Sequence, residues 1–393
     1  MTTVQTPPRE GLEQRAAELV PLLRKNALWS EENRRLHPET VEALADAGIF
    51  RMRIPARYGG YECDTRTLTR VAAELGRGDA SVGWTASVWW IPGWMVGMFP
   101  DEVQDEVYAT PDVRVCGTLS PSATAVATDG GYVVNGKWGF ISGAHHSHWQ
   151  EILAVAPGPD GEPEPIMALV PMSDLRMVDD WHTSGLRGSG SVSTVAEDLF
   201  VPRERVLTMG AIMTQQYASV LNATIPMYRL PLMPVTAASS VGNVIGIAKG
   251  ALEAFLERLP GRKITYTDYT SQRDAPVTHL QVAEAALKID EAEFHGHRIA
   301  ELADAKAAAA APWTTEERAL SRVSMGVVCK RATEAVDILN SASGGTSIYS
   351  HVPIQRITRD LHALTQHALA TPHVSFETYG RVLCGLAPNT TYF

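Results

Sequence analysis

Apolar side chains recur at helical spacing near the start of the chain. Over residues 10–24 they follow the 3.6-residue period of an α-helix at Leu12, Ala16, Leu19, Val20 and Leu23. Pro38 is expected to open a second helix, because proline is tolerated in the first helical turn. Residues 65–75 predict a third helix, and Asp79 is placed to cap the helix after it. These patterns predict a helical domain over residues 1–112.

The pattern changes near Val113 to short apolar runs separated by glycine, proline and aspartate. Asp129-Gly130 is typical of a hairpin turn, and residues 131–136 predict a strand that enters a turn. Residues 152–156 and 166–170 are two further β-type runs. Residues 113–225 are therefore predicted to form a β domain.

Helical patterning returns from about residue 226. Gly242, Gly246 and Gly250 lie four residues apart and would give one helix a smooth face for a close neighbour. Thr314 and Glu317 have the spacing of a capping box at the start of a later helix. Residues 226–393 are predicted to form a helical bundle, so the fold class is α+β.

Composition narrows the possible functions. The 393 residues carry a net charge of -10, which disfavours binding to nucleic acid or to anionic membranes. The four cysteines are far apart, so neither a disulfide framework nor a zinc knuckle is expected. There is no secretory signal pattern and no apolar run of about 18 residues, and we therefore expect a cytoplasmic protein. Neither GxGxxG after a strand nor GxxxxGK[ST] is present, so a Rossmann-bound nicotinamide is not supported.

Four stretches of sequence occur in an order typical of one protein family. They are residues 48–60, residues 132–143 (YVVNGKWGFISG), residues 181–202 (WHTSGLRGSGSVSTVAEDLFVP), and Gly344-Gly345 followed by Arg359-Asp360. Together they resemble the acyl-CoA dehydrogenase superfamily, and more narrowly its flavin-dependent monooxygenase branch. The resemblance implies an N-terminal helical domain, a central β-barrel or sandwich domain and a C-terminal four-helix bundle.

The choice of branch depends on a missing carboxylate. Dehydrogenases of this superfamily often carry a carboxylate base just after a similar Arg-Asp step, but residues 361–375 contain no Asp or Glu. His367 lies in this run and resembles the histidine that the oxygenases carry on the C-terminal helix, although His362 and His373 are nearby. An imidazole can take or return a proton during oxygen chemistry. For a dehydrogenase, Glu253 or Asp268 would have to serve as the base.

The resemblance implies the oxygenase component of a two-component system. Reduced FMN or FAD would arrive from a separate NAD(P)H:flavin reductase, and O2 would form a C4a-hydroperoxide that hydroxylates a phenolic or polyketide-like aromatic ring. N- or S-oxygenation, acyl-CoA dehydrogenation and a non-catalytic flavin-binding role stay open as alternatives. A homotetramer built through the C-terminal bundle is also implied. The sequence leaves open both the substrate and the choice between FMN and FAD.

The resemblance also assigns candidate flavin contacts. Ser142 would bond to the flavin edge near its reactive nitrogen, and Trp138 and Phe140, alternating on a strand, would share one face and wall the ring. Ser120, favoured over Thr118 and Ser122, would meet the pyrimidine end of the ring. Arg273 would bind the flavin phosphate, as a similar arginine of related enzymes does, often across a subunit boundary. The glycine pair Gly344-Gly345 belongs to the C-terminal signature. The residues assigned to the flavin are thus Thr118, Ser120, Trp138, Phe140, Ser142, Arg273, Gly344 and Gly345. An ordinary structural role, in a turn, the core, a linker or a solvated helix cap, stays open as the alternative for each of them.

The substrate pocket is predicted from aromatic residues and one histidine. Trp84, Trp90 and His145 could line it, although helix packing explains the tryptophans equally well. His145 belongs to a His-His-Ser-His run in which His146 and His148 would share a strand face. No Asp, Glu or Cys completes a ligand set there, so no metal is expected.

Overall fold

A computed structural model describes residues 9–158, 160–390 and 392–393; residues 1–8 of the predicted first domain, and residues 159 and 391, lie outside the described residues. The helices are α1 Leu12–Asn33, α2 Pro38–Asp46, α3 Thr65–Gly78, α4 Ala80–Met95, α5 Asp101–Tyr108, α6 Met209–Met213, α7 Leu232–Arg258, α8 Pro276–Ala309, α9 Thr315–Ala342, α10 Pro353–Thr365 and α11 Pro372–Leu383. The strands are β1 Val115–Gly117, β2 Ala123–Thr128, β3 Gly131–Ile141, β4 Trp149–Pro157, β5 Pro163–Pro171, β6 Arg176–Val178, β7 Val192–Pro202 and β8 Val206–Thr208.

Side-chain caps set where the N-terminal helices begin. The carboxylate of Asp64 accepts the Thr67 N–H at 2.8 Å at the start of α3. Asp79 accepts the N–H groups of Ser81 and Val82 at the start of α4, which confirms its predicted role. Because α4 begins immediately after α3 ends, Asp79 fixes the corner between these two helices.

The strands form one eight-stranded sheet in the order β6-β7-β3-β2-β4-β5-β8, with β1 beside β4. The predicted hairpin at Asp129-Gly130 is confirmed, since β2 pairs antiparallel with β3 around that turn. The predicted turn after residue 136 is wrong, because β3 continues to Ile141. Its pairing with β7 shifts register twice, between Val134 and Gly136 and again between Trp138 and Ile141.

The predicted glycine face of α7 is confirmed, and its neighbour is α3 of the N-terminal domain. A Cβ on Gly242 would lie 2.1 Å from the Thr69 carbonyl oxygen, and one on Gly246 would lie 2.0 Å from that of Ala73. Side chains at these positions would push the two helices apart. The N-terminal domain and the C-terminal bundle therefore share one packed interface.

The C-terminal region is a bundle in which α7, α8 and α9 pack on one another, with α10 and α11 against them. The Thr314–Glu317 capping box is confirmed at the start of α9. By length and composition alone α7 could cross a membrane, but 89% of its most apolar window is buried inside the protein. This burial is typical of a core helix.

Candidate functional site

The tryptophans of α4 are held by hydrogen bonds to different parts of the chain. Their indole N–H groups donate to Ser142 Oγ (Trp84, 3.0 Å), Ser147 Oγ (Trp89, 2.9 Å), the Ile49 carbonyl (Trp90, 2.8 Å) and the Met227 carbonyl (Trp94, 3.0 Å). Trp90 is only 2% exposed and lies in the core. The prediction that it lines a substrate pocket is therefore corrected to core packing.

Ser142 belongs to a chain of three serine hydroxyl groups. Its Oγ lies 2.7 Å from that of Ser191, which lies 2.7 Å from that of Ser189. Ser189 donates in turn to the Leu186 carbonyl at 2.7 Å. All three serines are buried, and Trp84 donates its N–H into the Ser142 end. The hydroxyl of Ser142 is thus fixed by the GLRGSGS turn, which belongs to the third motif.

His367 also contacts Trp84. The imidazole ring and the indole meet edge to face, with ring centroids 5.2 Å apart. His367 follows the end of α10 in a turn, so its predicted place on a helix is corrected. Trp84 therefore brings Ser142 and His367, both predicted from the sequence, to one place.

The protonation state of His367 follows from its surroundings. Its Nδ1 accepts the Leu369 N–H at 3.3 Å, so the neutral ring carries its hydrogen on Nε2. The imidazole reaches solvent, yet the surrounding protein partly desolvates it and lowers its pKa below the ordinary value. At neutral pH it presents a neutral ring with an Nε2–H donor. His362 instead pairs with Asp337 at the surface.

Trp138 and Phe140 do not share a face. The register shift between Trp138 and Ile141 turns the strand between them, so the predicted alternation fails. Trp138 has no exposed surface and donates its N–H to the Leu153 carbonyl at 2.8 Å, which corrects its predicted flavin contact to a core role. Phe140 is 75% exposed, has a φ of 62° and meets Trp181 edge to face at 5.8 Å.

The loop after β1 presents hydroxyl groups at the surface. Thr118 Oγ1 accepts the Ser120 N–H at 3.4 Å, and Ser120 is exposed. Ser122 is turned to the Lys137 carbonyl at 2.8 Å. The hydroxyl of Tyr392 donates to the Leu119 carbonyl, so the end of the chain holds this loop in place.

The glycine pair and Arg273 form a second group of residues. Gln272, next to Arg273, donates to the Ala342 carbonyl at 2.8 Å, and Arg262 bonds to the carbonyl of Ser343. Gly344 has a φ of 65°, a left-handed conformation that favours glycine, and a Cβ on Gly345 would meet open space. This group precedes α10 whereas His367 follows it, so 13 helical residues, about 20 Å, separate the two. One chain thus divides the predicted flavin contacts between two places.

The histidine run after Ser142 is not a strand. Residues 144–146 form a turn of 3₁₀ helix, so the prediction that His146 and His148 share a strand face is wrong. His146 bonds to the Leu36 carbonyl at 3.2 Å, and burial lowers its pKa to about 4. His148 Nδ1 accepts the Arg114 N–H at 3.1 Å. His145 is exposed beside Gly190, and burial followed by the charge of Arg35 lowers the pKa of its ring. In the described ranges no three His, Cys, Asp or Glu side chains come close enough to hold a metal ion.

Arg359 and Asp360 clamp the segment that precedes the serines. Arg359 Nη1 donates to the Ser184 carbonyl at 2.6 Å, and a Cβ on Gly185 would lie 2.1 Å from the Arg359 carbonyl oxygen. Asp360 Oδ1 accepts the Leu186 N–H at 2.7 Å. The Arg-Asp step was read from the sequence only as a landmark. Its structural role was missed, although its pairing with the GLRGSGS motif hinted at a shared function.

Asp360 is buried beside a second carboxylate, that of Asp79. Both line a cleft of about 530 Å³, open to solvent, with Arg24, Arg77 and Arg356 on its walls. Burial, followed by the nearby Asp79 carboxyl, raises the pKa of Asp360 to about 7, although the Leu186 N–H and Arg356 oppose the rise. Burial also raises the pKa of Asp79.

The two carboxylates considered as dehydrogenase bases lie elsewhere. Glu253 is ion-paired with both Arg24 and Arg77. Asp268 is exposed in the loop between α7 and α8. Among the interactions of the described residues, neither carboxylate contacts Trp84, Ser142 or His367.

Two family models match the chain, in the order of its domains. They are the acyl-CoA dehydrogenase N-terminal domain over residues 12–113 and the acyl-CoA dehydrogenase C-terminal domain over residues 238–372. The chain belongs to the acyl-CoA dehydrogenase family, and its full-length relatives place it among the flavin-dependent monooxygenases of that family.

Full-length relatives narrow the class. The chain is 32% identical over 398 residues to the flavin-dependent monooxygenase, oxygenase subunit HsaA, of Mycobacterium tuberculosis, covering 100% of both chains. It is 32% identical to the FADH(2)-dependent resorcinol hydroxylase, oxygenase component, of a Rhizobium species, covering 99% of this chain and 97% of that one. The structure of XiaF from a Streptomyces species, in complex with FADH2 and glycerol, superposes with a TM-score of 0.92 at 31% identity, covering 97% of each chain. The predicted family, fold class and type of enzyme are confirmed.

The buried carboxyl of Asp360 should make stability depend on pH. Because its folded pKa, about 7, lies above its ordinary value of 3.8, the folded state holds this proton more tightly. Its contribution is therefore greatest at low pH and is lost as pH rises through 7. From pH 5 to pH 8 the wild type should lose roughly 2–3 kcal/mol of unfolding free energy through this group, and Asp360→Asn should remove that loss. Urea unfolding at both pH values, followed by tryptophan fluorescence, measures it.

Asp268→Asn, which removes an exposed carboxyl group, is the matched control for the loss of one negative charge. Equal pH slopes in wild type and Asp360→Asn would contradict the assignment.

Proposed function

We propose that the protein is the oxygenase component of a two-component system and uses reduced FMN or FAD with O2 to hydroxylate an aromatic, phenolic substrate. The observation that carries this proposal is that Ser142 and a neutral His367 both contact Trp84. The names of the relatives support it, since HsaA is an oxygenase subunit and another is a resorcinol hydroxylase. When bound, the reduced flavin supplies the electrons that activate O2.

The residues around Ser142 fit a flavin ring. An exposed phenylalanine in a left-handed backbone conformation is costly unless something covers it, and Phe140 stands edge-on to Trp181 beside the serine turn. Ser142 offers its hydroxyl to the polar edge of the ring. Thr118 and Ser120 offer hydroxyl and backbone groups to the pyrimidine end.

His367 handles the proton at the reacting oxygen. As a neutral imidazole with Nε2–H it donates a hydrogen bond, and it can accept a proton at Nε2 only after giving that hydrogen up. The Leu369 N–H holds the ring in this tautomer. Its lowered pKa keeps it from carrying a positive charge at neutral pH.

The substrate is bound by partly buried apolar side chains near His367. Leu369, two residues further on, packs against the same apolar core as Ile91, Leu119 and Tyr392. Trp84 closes the other side of the imidazole. These side chains keep water away from the reacting oxygen, which limits loss of the oxidant as hydrogen peroxide. His145 lies at the surface beside Gly190, further along the serine turn.

A separate NAD(P)H:flavin reductase supplies the reduced flavin. The sequence carries no dinucleotide-binding fingerprint of its own, and the relatives are named as subunits or components of larger systems. The enzyme works in the cytoplasm, in keeping with four free cysteines, three of them buried.

The protein works as a homo-oligomer, a tetramer in our proposal. Exposed apolar residues recur every seven positions along α8, at Leu280, Leu287 and Phe294, with exposed fractions of 73%, 64% and 64%. A seven-residue apolar repeat is the pattern of a helix that packs on another helix. In such an assembly Arg273 and the glycine pair of one chain hold the phosphate of a flavin whose ring lies at Ser142 of another.

Oxygen incorporation tests the proposed reaction. Purified protein, mixed with a flavin reductase, NADH, FAD or FMN and ¹⁸O2, should convert resorcinol or 4-hydroxyphenylacetate, or a related phenol, to a product that carries one ¹⁸O atom. Mass spectrometry measures that label. Oxidation of acyl-CoA substrates by an artificial acceptor in the absence of O2 would overturn the proposal, and so would a failure to bind flavin.

His367→Ala should separate oxygenation from flavin binding. Without the imidazole, the rate of substrate oxygenation should fall about 10²-fold or more, so product per O2 consumed should drop and peroxide be released instead, while the affinity for reduced flavin stays within about twofold. The measurements are product yield, peroxide yield and an anaerobic flavin titration. His362→Ala is the control, because His362 pairs with Asp337 on the surface. An unchanged yield of product per O2 would remove His367 from the mechanism.

Charges on the α8 stripe should dissociate the oligomer. Leu287→Glu combined with Phe294→Glu puts two carboxylates where the helices pack, so the species measured by light scattering should shift towards the monomer. Val126→Glu changes an equally exposed apolar residue on the sheet and serves as the control. A wild type that is already monomeric, or a variant of unchanged mass, would contradict the proposed interface.

A further inference from the structure

The serine chain has one permitted direction of hydrogen bonding. A serine hydroxyl has a single hydrogen to donate and two lone pairs that accept. The Leu186 carbonyl can only accept, so Ser189 spends its hydrogen there. Ser191 must then donate to Ser189, and Ser142 must donate to Ser191.

This order leaves Ser142 without a free hydrogen. Trp84 N–H occupies one lone pair of its oxygen, because an indole nitrogen only donates. One lone pair remains for a ligand. Ser142 is therefore held as a hydrogen-bond acceptor, although a lone serine could rotate to donate or accept.

The two redox states of a flavin differ at the nitrogen expected to face Ser142. In reduced flavin this ring nitrogen carries a hydrogen and donates; in oxidised flavin it has a lone pair and accepts. An acceptor at Ser142 matches the first and leaves two lone pairs facing each other in the second. Leaving a buried polar group unpaired costs more than a hydrogen bond gains.

We propose that Ser191 and Ser189, neither of which need touch the flavin, determine the redox selectivity of the site by holding Ser142 as an acceptor. This inference rests on the proposed function, because it assumes that a flavin edge meets Ser142. The two serines are positioning residues. Their anchor, the Leu186 carbonyl, is held in turn by the bond from the Leu186 N–H to Asp360.

Removing either positioning serine allows the remaining hydrogen bonds of the serine chain to change direction. In Ser191→Ala the Ser142 hydroxyl has lost its acceptor and can turn its hydrogen to the ligand. In Ser189→Ala the Ser191 hydroxyl can reverse and donate to Ser142, with the same result. Oxidised flavin should then bind more tightly and reduced flavin no better than before.

The experiment measures two dissociation constants for each protein. Oxidised FAD and, under anaerobic conditions, dithionite-reduced FAD are titrated into the full-length protein, with FMN in parallel. We expect the ratio of the oxidised to the reduced Kd to fall roughly tenfold in each alanine variant, the value of about one hydrogen bond. The two variants act at different points of the chain, so either one decides the outcome if the other does not fold.

Ser147→Ala is the matched control. Ser147 also accepts an indole N–H, from Trp89, and donates to a backbone carbonyl, that of Gly143, but it does not belong to the serine chain. Its ratio should stay at the wild-type value. If wild type prefers reduced flavin and the ratio in Ser191→Ala and Ser189→Ala is unchanged, the inference is overturned and the proposed function stands. If neither flavin binds to wild type, both fail.

Discussion

The backbone amide of Leu186 donates to the buried carboxylate of Asp360, and the arrangement of the site depends on this bond. It joins α10 of the C-terminal bundle to the turn that follows β6. On one side, α10 runs on to His367; on the other, the turn carries the serines that fix Ser142. The bond therefore holds together two segments that are remote in sequence.

The bond is maintained against a cost. A carboxylate without water is expensive to ionise, and here a second one, Asp79, lies nearby. Asp79 is not dispensable, because it caps α4 and so places Trp84. Arg356 on the cleft wall opposes this effect, because its charge favours the ionised form of both carboxyl groups. The protein thus keeps two acids that repel each other close together. Asp79 fixes the start of α4, and Asp360 fixes the turn that carries Leu186.

Much of the frame could be predicted because it depends on local patterns. The α7 glycines, the Asp79 cap and the capping box at Thr314 each involve residues within a few positions, and the structure has all three. The prediction that Trp138 and Phe140 share one face was wrong because a register shift turns the strand between them, and the residue types do not predict such a shift. Asp360 was missed for a different reason. Its partner is 174 positions away, and only the fold brings them together.

The indole hydrogen bonds of α4 also bear on how the enzyme can diversify. Four tryptophans bond to three separate segments, because Ser142 and Ser147 lie in the same one, so this helix cannot roll about its axis without breaking several bonds at once. Evolution towards a new substrate must then proceed by changing side chains on a stationary helix. Val88 and Ile91, partly buried on α4, are apolar and carry no side-chain hydrogen-bonding group. Substitutions at these two positions would change the apolar surface of α4 while leaving its indole hydrogen bonds intact.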